Sequence, residues 1–167
     1  VSECMRYWVS NCDTTHMCVG STVGPNIFVK ICGWSTAQIS RELKVQLKNE
    51  FKRIPKKIKL INCVGGGMGV NNPPKKYNDW NKVWRFNCGI AIESNMEAIK
   101  HLEKQKTKFA RFIHISSYAG KLAKPSHNKI AYSTSKAFLN SYIKNMSKHY
   151  GNKNLIFNGI MPGPILT

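Results

Sequence analysis

A tyrosine and a lysine, Tyr132 and Lys136, stand four positions apart among small residues in the stretch AYSTSKAF (131–138). On a helix, a separation of four puts both side chains on one face. A tyrosine with an ordinary pKa of about 10 is a poor acid–base catalyst at neutral pH. A neighbouring ammonium stabilises the phenolate and brings it toward the working range. The pair alone decides nothing: with 6 Tyr and 21 Lys in 167 residues, chance supplies such a spacing roughly 0.75 times. Its meaning depends on the elements that position it.

Those elements read as alternating strands and helices. IFVKIC (27–32) and IKLINCV (58–64) are short apolar runs rich in β-branched residues. Between them STAQISRELKVQLKNEFKRI repeats Ile39, Leu43, Leu47 and Phe51 at helical spacing, with Ser35 as N-cap and Pro55 as stop. A glycine-rich turn, GGGMG (65–69), and the pair Pro73-Pro74 lead to a second amphipathic segment. It runs from about Asn78 to Glu103 and carries Trp80, Val83, Trp84, Ile90, Met96 and Ile99. FARFIHI (109–115) predicts a third strand, 129–151 a third helix and NLIFNGIM (154–161) a fourth strand. This alternation predicts an α/β fold with right-handed crossovers and a parallel sheet covered on both faces. In such sheets ligands bind outside the carboxyl ends of the strands. There lie Asn62-Cys63-Val64-Gly65 after the second strand, Ser116-Ser117-Tyr118-Ala119-Gly120 after the third, and Pro162-Gly163-Pro164-Ile165-Leu166-Thr167 after the fourth. Tyr132 and Lys136 begin the helix between the last two strands.

Composition narrows the classes. The length suits one domain, and 42% hydrophobic with 20% charged residues is an ordinary globular balance. No run of 18 apolar residues occurs, and VSECMRYWVSNC has no basic segment leading into an apolar one, so no membrane partner is expected. The six cysteines form no CxxC pair, and the Cys4, Cys12, His16, Cys18 spacing fits no zinc pattern; a reducing cytoplasm and no metal are expected. The net charge of +18 invites a nucleic-acid reading. Lysine outnumbers arginine 21 to 5, however, and the lysines are not interleaved with a row of aromatics, so a basic nucleic-acid binder is the minor alternative.

Five ordered signals together resemble the short-chain dehydrogenases/reductases over residues 27–167, leaving 1–26 as a poorly matching segment. They are NCVG (62–65) where the family has NNAG, Asn87 within VWRFNCGIA, ISSYAG (115–120), YSTSK (132–136) and NGIMPGPILT (158–167). The resemblance implies a Rossmann-type doubly wound sheet and NAD or NADP as hydride carrier. It implies that Tyr132 exchanges a proton with the substrate oxygen and that Ser117 hydrogen-bonds the same oxygen. Lys136 would lower the tyrosine pKa and hold the nicotinamide ribose, and Asn87 would hold a water linking Lys136 to solvent. Asn62, Val64 and Gly65 would border the adenosine and pyrophosphate side. Pro162 and Gly163 would pass under the nicotinamide, with Ile165 and Thr167 at its carboxamide. Read alone, Asn87 is an ordinary helix asparagine, His114 a strand-interior residue and His127 a surface-loop residue.

The chain also departs from the family pattern. No TGxxxGxG turn occurs; Gly20-Ser-Thr-Val-Gly24 precedes a proline and a strand rather than a helix, so it offers no helix N-terminus to a pyrophosphate. Cys63 replaces the second Asn, Gly33 stands about where an acidic residue usually meets the adenine, and the fifteen-residue interval from Ser117 to Tyr132 is about two longer than common. The expectation is an incomplete sheet lacking the family's first strand and C-terminal elements, hence a truncated product with exposed strand edges and weak cofactor binding. The leading function is an oxidoreductase interconverting a small-molecule alcohol and carbonyl. The alternative is an inactive remnant. YNDWNKVWRFNCGIAIESN is similar to reductases of bacterial polysaccharide biosynthesis, which implies a sugar derivative as substrate, and family membership implies a homo-oligomer for a full-length protein. NAD and NADP stay undistinguished.

Overall fold

The structure, a computed structural model, describes residues 17–22, 26–31, 41, 44–45, 49, 57–70, 73–104, 109–122 and 129–164. Five strands form one sheet in the order β1-β2-β3-β4-β5: β1 (Met17–Thr22), β2 (Asn26–Ile31), β3 (Lys57–Asn62), β4 (Phe109–Ile115) and β5 (Leu155–Ile160). β1 and β2 pair antiparallel, from Met17↔Ile31 to Thr22↔Asn26, and the other three pairings are parallel. β2, β3, β4 and β5 and the two later helices fall close to the expected limits. The helix expected over 35–54 lies largely outside the described residues, as do Ile39, Leu43, Leu47 and Phe51; Arg41, Lys44, Val45 and Asn49 are helical.

Two features at the N-terminal side differ from expectation. Residues 17–22 add an edge strand, and Gly20 lies inside it opposite Phe28. β2 pairs directly with β3, Ile27 against Leu60, so no gap is left beside β3 where exposed strand edges were expected.

Helix α1 (Tyr77–Trp84) runs through a π segment (Arg85–Gly89) into α2 (Ile90–Glu103), and α3 (Ile130–Tyr150) links β4 to β5. The π segment adds residues to a turn and shifts the phase of the apolar stripe. Val83, Ile90 and Ile99 are buried as expected, but Trp84 and Met96 are 39% and 62% exposed. Trp84 meets Phe138 of α3 edge to face, with ring centroids 5.6 Å apart.

The face of β3, β4 and β5 that meets these helices is built in rows. Strand alternation places Leu60, Phe112 and Phe157 in register on neighbouring strands, all buried, and the two phenyl rings stack at 4.3 Å. Burial of one such ring contributes about 1.5–3 kcal/mol. Two residues further toward the carboxyl ends, the same faces carry Asn62, His114 and Gly159. The core therefore turns polar one step before the sheet edge. α3 ends in a short 3-10 turn (Gly151–Lys153), and Asn154 takes the left-handed conformation at φ 59° that reverses the chain into β5. No helix among the described residues is long and apolar enough to cross a membrane.

Candidate functional site

The polar row is closed on itself. Asn62 Nδ2 donates to Asn95 Oδ1 at 3.2 Å and lies 3.3 Å from His114 Nδ1, while Ser94 Oγ donates to Asn62 Oδ1 at 2.9 Å. Asn95 Nδ2 reaches His114 Nε2 at 3.2 Å and donates to the Tyr142 hydroxyl at 3.1 Å. Burial, helped by the charge of Lys136, pushes His114 down to about 4, so it is neutral at physiological pH. His114 is the strand-interior residue expected. The side chain of Asn62, expected beside a cofactor, is instead committed to this network. Ser94 and Asn95 carry a signal that sequence reasoning passed over. Asn95 shares the helix stripe Ala91, Ala98 and Leu102, so its amide falls on an apolar face and needs partners there.

Beyond this row, the end of β4 is held against α3. Ser116 N donates to Ile160 O at 2.8 Å, and Tyr118 N to Pro162 O at 2.9 Å, which ties the turn after β4 to the segment after β5. Ser116 Oγ donates to Asn140 Oδ1 at 2.6 Å. Ser117 caps a short 3-10 turn (Tyr118–Gly120), its Oγ accepting from Ala119 N at 3.2 Å, and stays half-buried. A Cβ on Gly120 would lie 2.6 Å from the backbone of Lys136 and Ala137. Only glycine permits this approach, which sets Ser117 beside the Tyr132–Lys136 turn of α3.

Within that turn, Ser135 Oγ donates to Tyr132 O at 2.7 Å, and the Cys88 thiol of the π segment donates to Ser135 O at 3.0 Å. Burial pushes that thiol up to about 12, against the opposing pull of Lys136. Lys136 is 2% exposed. Its ammonium donates to Ile115 O at 3.1 Å and Val64 O at 3.3 Å, and lies 5.8 Å from the Tyr132 ring centroid. Burial lowers Lys136 to about 8, partly offset by the thiols of Cys88 and Cys63. The group still carries its proton at neutral pH while standing next to the phenol.

Gly65 makes room for this lysine, since a Cβ there would lie 2.5 Å from Nζ and 2.9 Å from Asn87 Oδ1. Asn87, fully buried in the π segment, clamps the glycine-rich loop: its Oδ1 accepts from Gly66 N at 3.1 Å, and its Nδ2 donates to Gly66 O and Val83 O, both at 2.9 Å. The side-chain amide is thus fully engaged by backbone, a structural benefit that sequence reasoning did not assign to it. Tyr132 is half-buried and borders a shallow, open depression lined by Gly67, Val70, Val83, Lys129 and Ala131.

The structure therefore brings Ser117, Tyr132, Lys136, Val64, Gly65, Pro162 and Gly163 to one edge of the sheet. The side chains of Asn62 and Asn87 point into protein contacts, and Ile165 and Thr167 lie outside the described residues. The edge fits one half of a dinucleotide. Gly67 and Gly163 have no atom within 4 Å of where a Cβ would stand, so a ligand can approach bare backbone at the ends of β3 and β5. For the phosphates, the described residues of Gly20–Gly24 offer a strand of an antiparallel hairpin and no helix N-terminus.

Known proteins share this arrangement. A 4-hydroxyisoleucine dehydrogenase complexed with NADH is 27% identical, with a TM-score of 0.65 over 79% of this chain and 55% of that one. A 7α-hydroxysteroid dehydrogenase complexed with NADH and 7-oxo glycochenodeoxycholic acid is 26% identical, with a TM-score of 0.66 over 77% of this chain and 48% of that one. A Serratia marcescens short-chain dehydrogenase/reductase variant, 20% identical, shares the fold with a TM-score of 0.66 over 81% of this chain and 53% of that one. The chain thus spans about half the length of the solved structures it matches. Residues 35–167 match the short chain dehydrogenase family, and with the partial Rossmann-type sheet described above they make this chain a member of that family.

Proposed function

We propose that this chain carries the nicotinamide-side half of the active site of an NAD(P)-dependent oxidoreductase that interconverts an alcohol and a carbonyl on a small molecule. The observation that carries the reading is the buried Lys136 ammonium 5.8 Å from the Tyr132 ring, one helical turn away at the carboxyl edge of the sheet. The cofactor would supply and accept the hydride. Tyr132 would donate a proton to the carbonyl oxygen in reduction and remove it from the alcohol in oxidation. Ser117 would hydrogen-bond the same oxygen, and Lys136 would hold the phenolate in the working range and bind ribose hydroxyls. Val64, Gly65, Pro162, Gly163, Ile165 and Thr167 would line the cofactor, and Asn62 would enter only through its main chain. Asn87 would keep the glycine-rich loop in place, leaving its main chain rather than its amide for a water linking Lys136 to solvent.

The same reading takes a cytoplasmic enzyme, as the thiols of Cys63 and Cys88 suit a reducing compartment, with a sugar derivative as one substrate class and a homo-oligomer as the assembled state. NADH in both neighbours above 25% identity favours the nicotinamide reading without choosing between NAD and NADP for this chain. The competing reading is a remnant that keeps the pair but holds no cofactor. It draws on Gly20 lying inside β1.

Turnover followed by nicotinamide absorbance, with NADH and NADPH against a panel of ketones and aldehydes, tests both readings. Tyr132→Phe is expected to lower turnover about 10²–10⁴-fold without shifting the unfolding midpoint. Absence of both turnover and NADH binding, read as nicotinamide fluorescence, would leave the remnant reading standing.

A further inference from the structure

Among the described residues lining the depression beside Tyr132, Lys129 is the charged one; Gly67, Val70, Val83 and Ala131 are apolar, and none of these residues is a carboxylate. Lys129 is exposed and immediately precedes α3, three residues ahead of Tyr132, and both line the depression. The wider field has the same sign: the chain carries 26 basic against 8 acidic residues, a surplus that raises the local concentration of small anions. A tyrosine and a lysine bordering one largely apolar depression suit a substrate that carries an anionic group near its reacting oxygen.

We propose that the substrate is an anion, a carboxylate or phosphate bearing the reacting carbonyl a few bonds away, and that Lys129 is the residue that selects it. The proposal rests on Tyr132 facing the reacting oxygen. Lys129 pairs with the anion at a partly solvated site, so the selectivity it confers is modest, about 3–5-fold for loss of the charge and about tenfold or more for its reversal.

The test compares levulinate, its methyl ester and a keto compound bearing a phosphate ester, with NADH and with NADPH. The expected result is a kcat/KM for levulinate about 3–5-fold above that for the ester, and a ratio that falls to one or below in Lys129→Glu, chiefly through KM. The phosphate ester resolves which anion is preferred. Equal use of acid and ester, or an acid-to-ester ratio unmoved by Lys129→Glu, overturns the proposal even where Tyr132→Phe abolishes turnover and so sustains the role of the tyrosine. Conversely, a ratio that collapses in Lys129→Glu while Tyr132→Phe remains active sustains the anion site and removes the tyrosine from its role. A change in the NADPH-to-NADH preference alone would assign Lys129 to a cofactor phosphate and also overturn the proposal. Should no compound turn over, backbone amide shifts decide. Shifts at Ala131 and Tyr132 on titration with levulinate but not its ester, lost in Lys129→Glu, sustain it, and their absence overturns it.

Discussion

Two polar groups lie one step apart along the same strands, and they end differently. In the inner row, Asn62, Ser94, Asn95, His114 and Tyr142 pass hydrogen bonds among themselves with water excluded. At the outer edge, Lys136 engages two carbonyls with three available protons, and among the described residues no hydrogen bond occupies the Tyr132 hydroxyl. Polar atoms whose capacity is taken up by protein stabilise and specify the core. Those with capacity left at an open edge can act on a ligand. The contrast separates two asparagines of the same motif set, Asn62 and Asn87, which brace the protein, from Tyr132 and Lys136, which keep hydrogen-bonding capacity at the edge.

Substitutions on the two sides of that boundary are expected to separate activity from stability. The largest effect is on the outer side: Lys136→Met is expected to reduce turnover about 10²–10³-fold while the thermal midpoint holds or rises, because a buried ammonium is removed. The sign follows from its lowered pKa. The folded state binds this proton less well than the unfolded chain, so the stability advantage of the variant is full below about pH 8 and shrinks as pH rises toward 10.5. A variant with a depressed midpoint at pH 7 would place Lys136 with the braces.

On the inner side, His114→Ala is expected to lower unfolding stability by about 2–4 kcal/mol, read in denaturant, since it empties a core position and strands two amides. The wild-type protein should lose stability as pH falls from 6.5 toward 4, by at most about 3 kcal/mol, because the unfolded histidine takes up a proton that the folded one refuses. A slope that persists in the His114 variant would assign the acid sensitivity elsewhere. Gly120→Ala sits on the boundary itself. It is expected to cost about 1–3 kcal/mol and also to lower turnover, since the turn carrying Ser117 must back away from α3. Loss of stability with unchanged turnover would show that the Ser117 turn is not held in place by this contact.

Much of this arrangement was legible in the sequence because its signals are local. FARFIHI is a short apolar run that reads as a strand, and its buried residues, Ala110, Phe112 and His114, follow the period of two that a strand requires. Tyr132 and Lys136 needed only the helical repeat to share a face. Asn62 was legible too, since it stands two residues after the buried Leu60 and so on the inward face, but the family resemblance drew attention to the crevice instead. What stayed hidden depends on contacts distant in the chain. Nothing near Ser116 announces Asn140, and nothing near Asn87 announces the backbone of Gly66. β1 escaped notice because MCVGST has a glycine at its centre and lies at an edge, where pairing with β2 rather than its own pattern fixes it. Trp84 and Met96 were assigned to the buried stripe because a constant 3.6-residue repeat was carried across a turn that does not keep it.

That turn has a consequence for how this chain can change in length. The π segment Arg85–Gly89 amounts to one surplus residue in an otherwise continuous helix, and a helix advances about 100° per residue. Deleting any one of these five residues would restore a regular helix, and in doing so would swing all of α1 around its axis relative to α2. Val83 would leave the core and Asn87 would lose Gly66. With four of its five residues buried, this stretch tolerates shortening poorly, and an alignment gap falling here between related chains would mark a difference in site architecture.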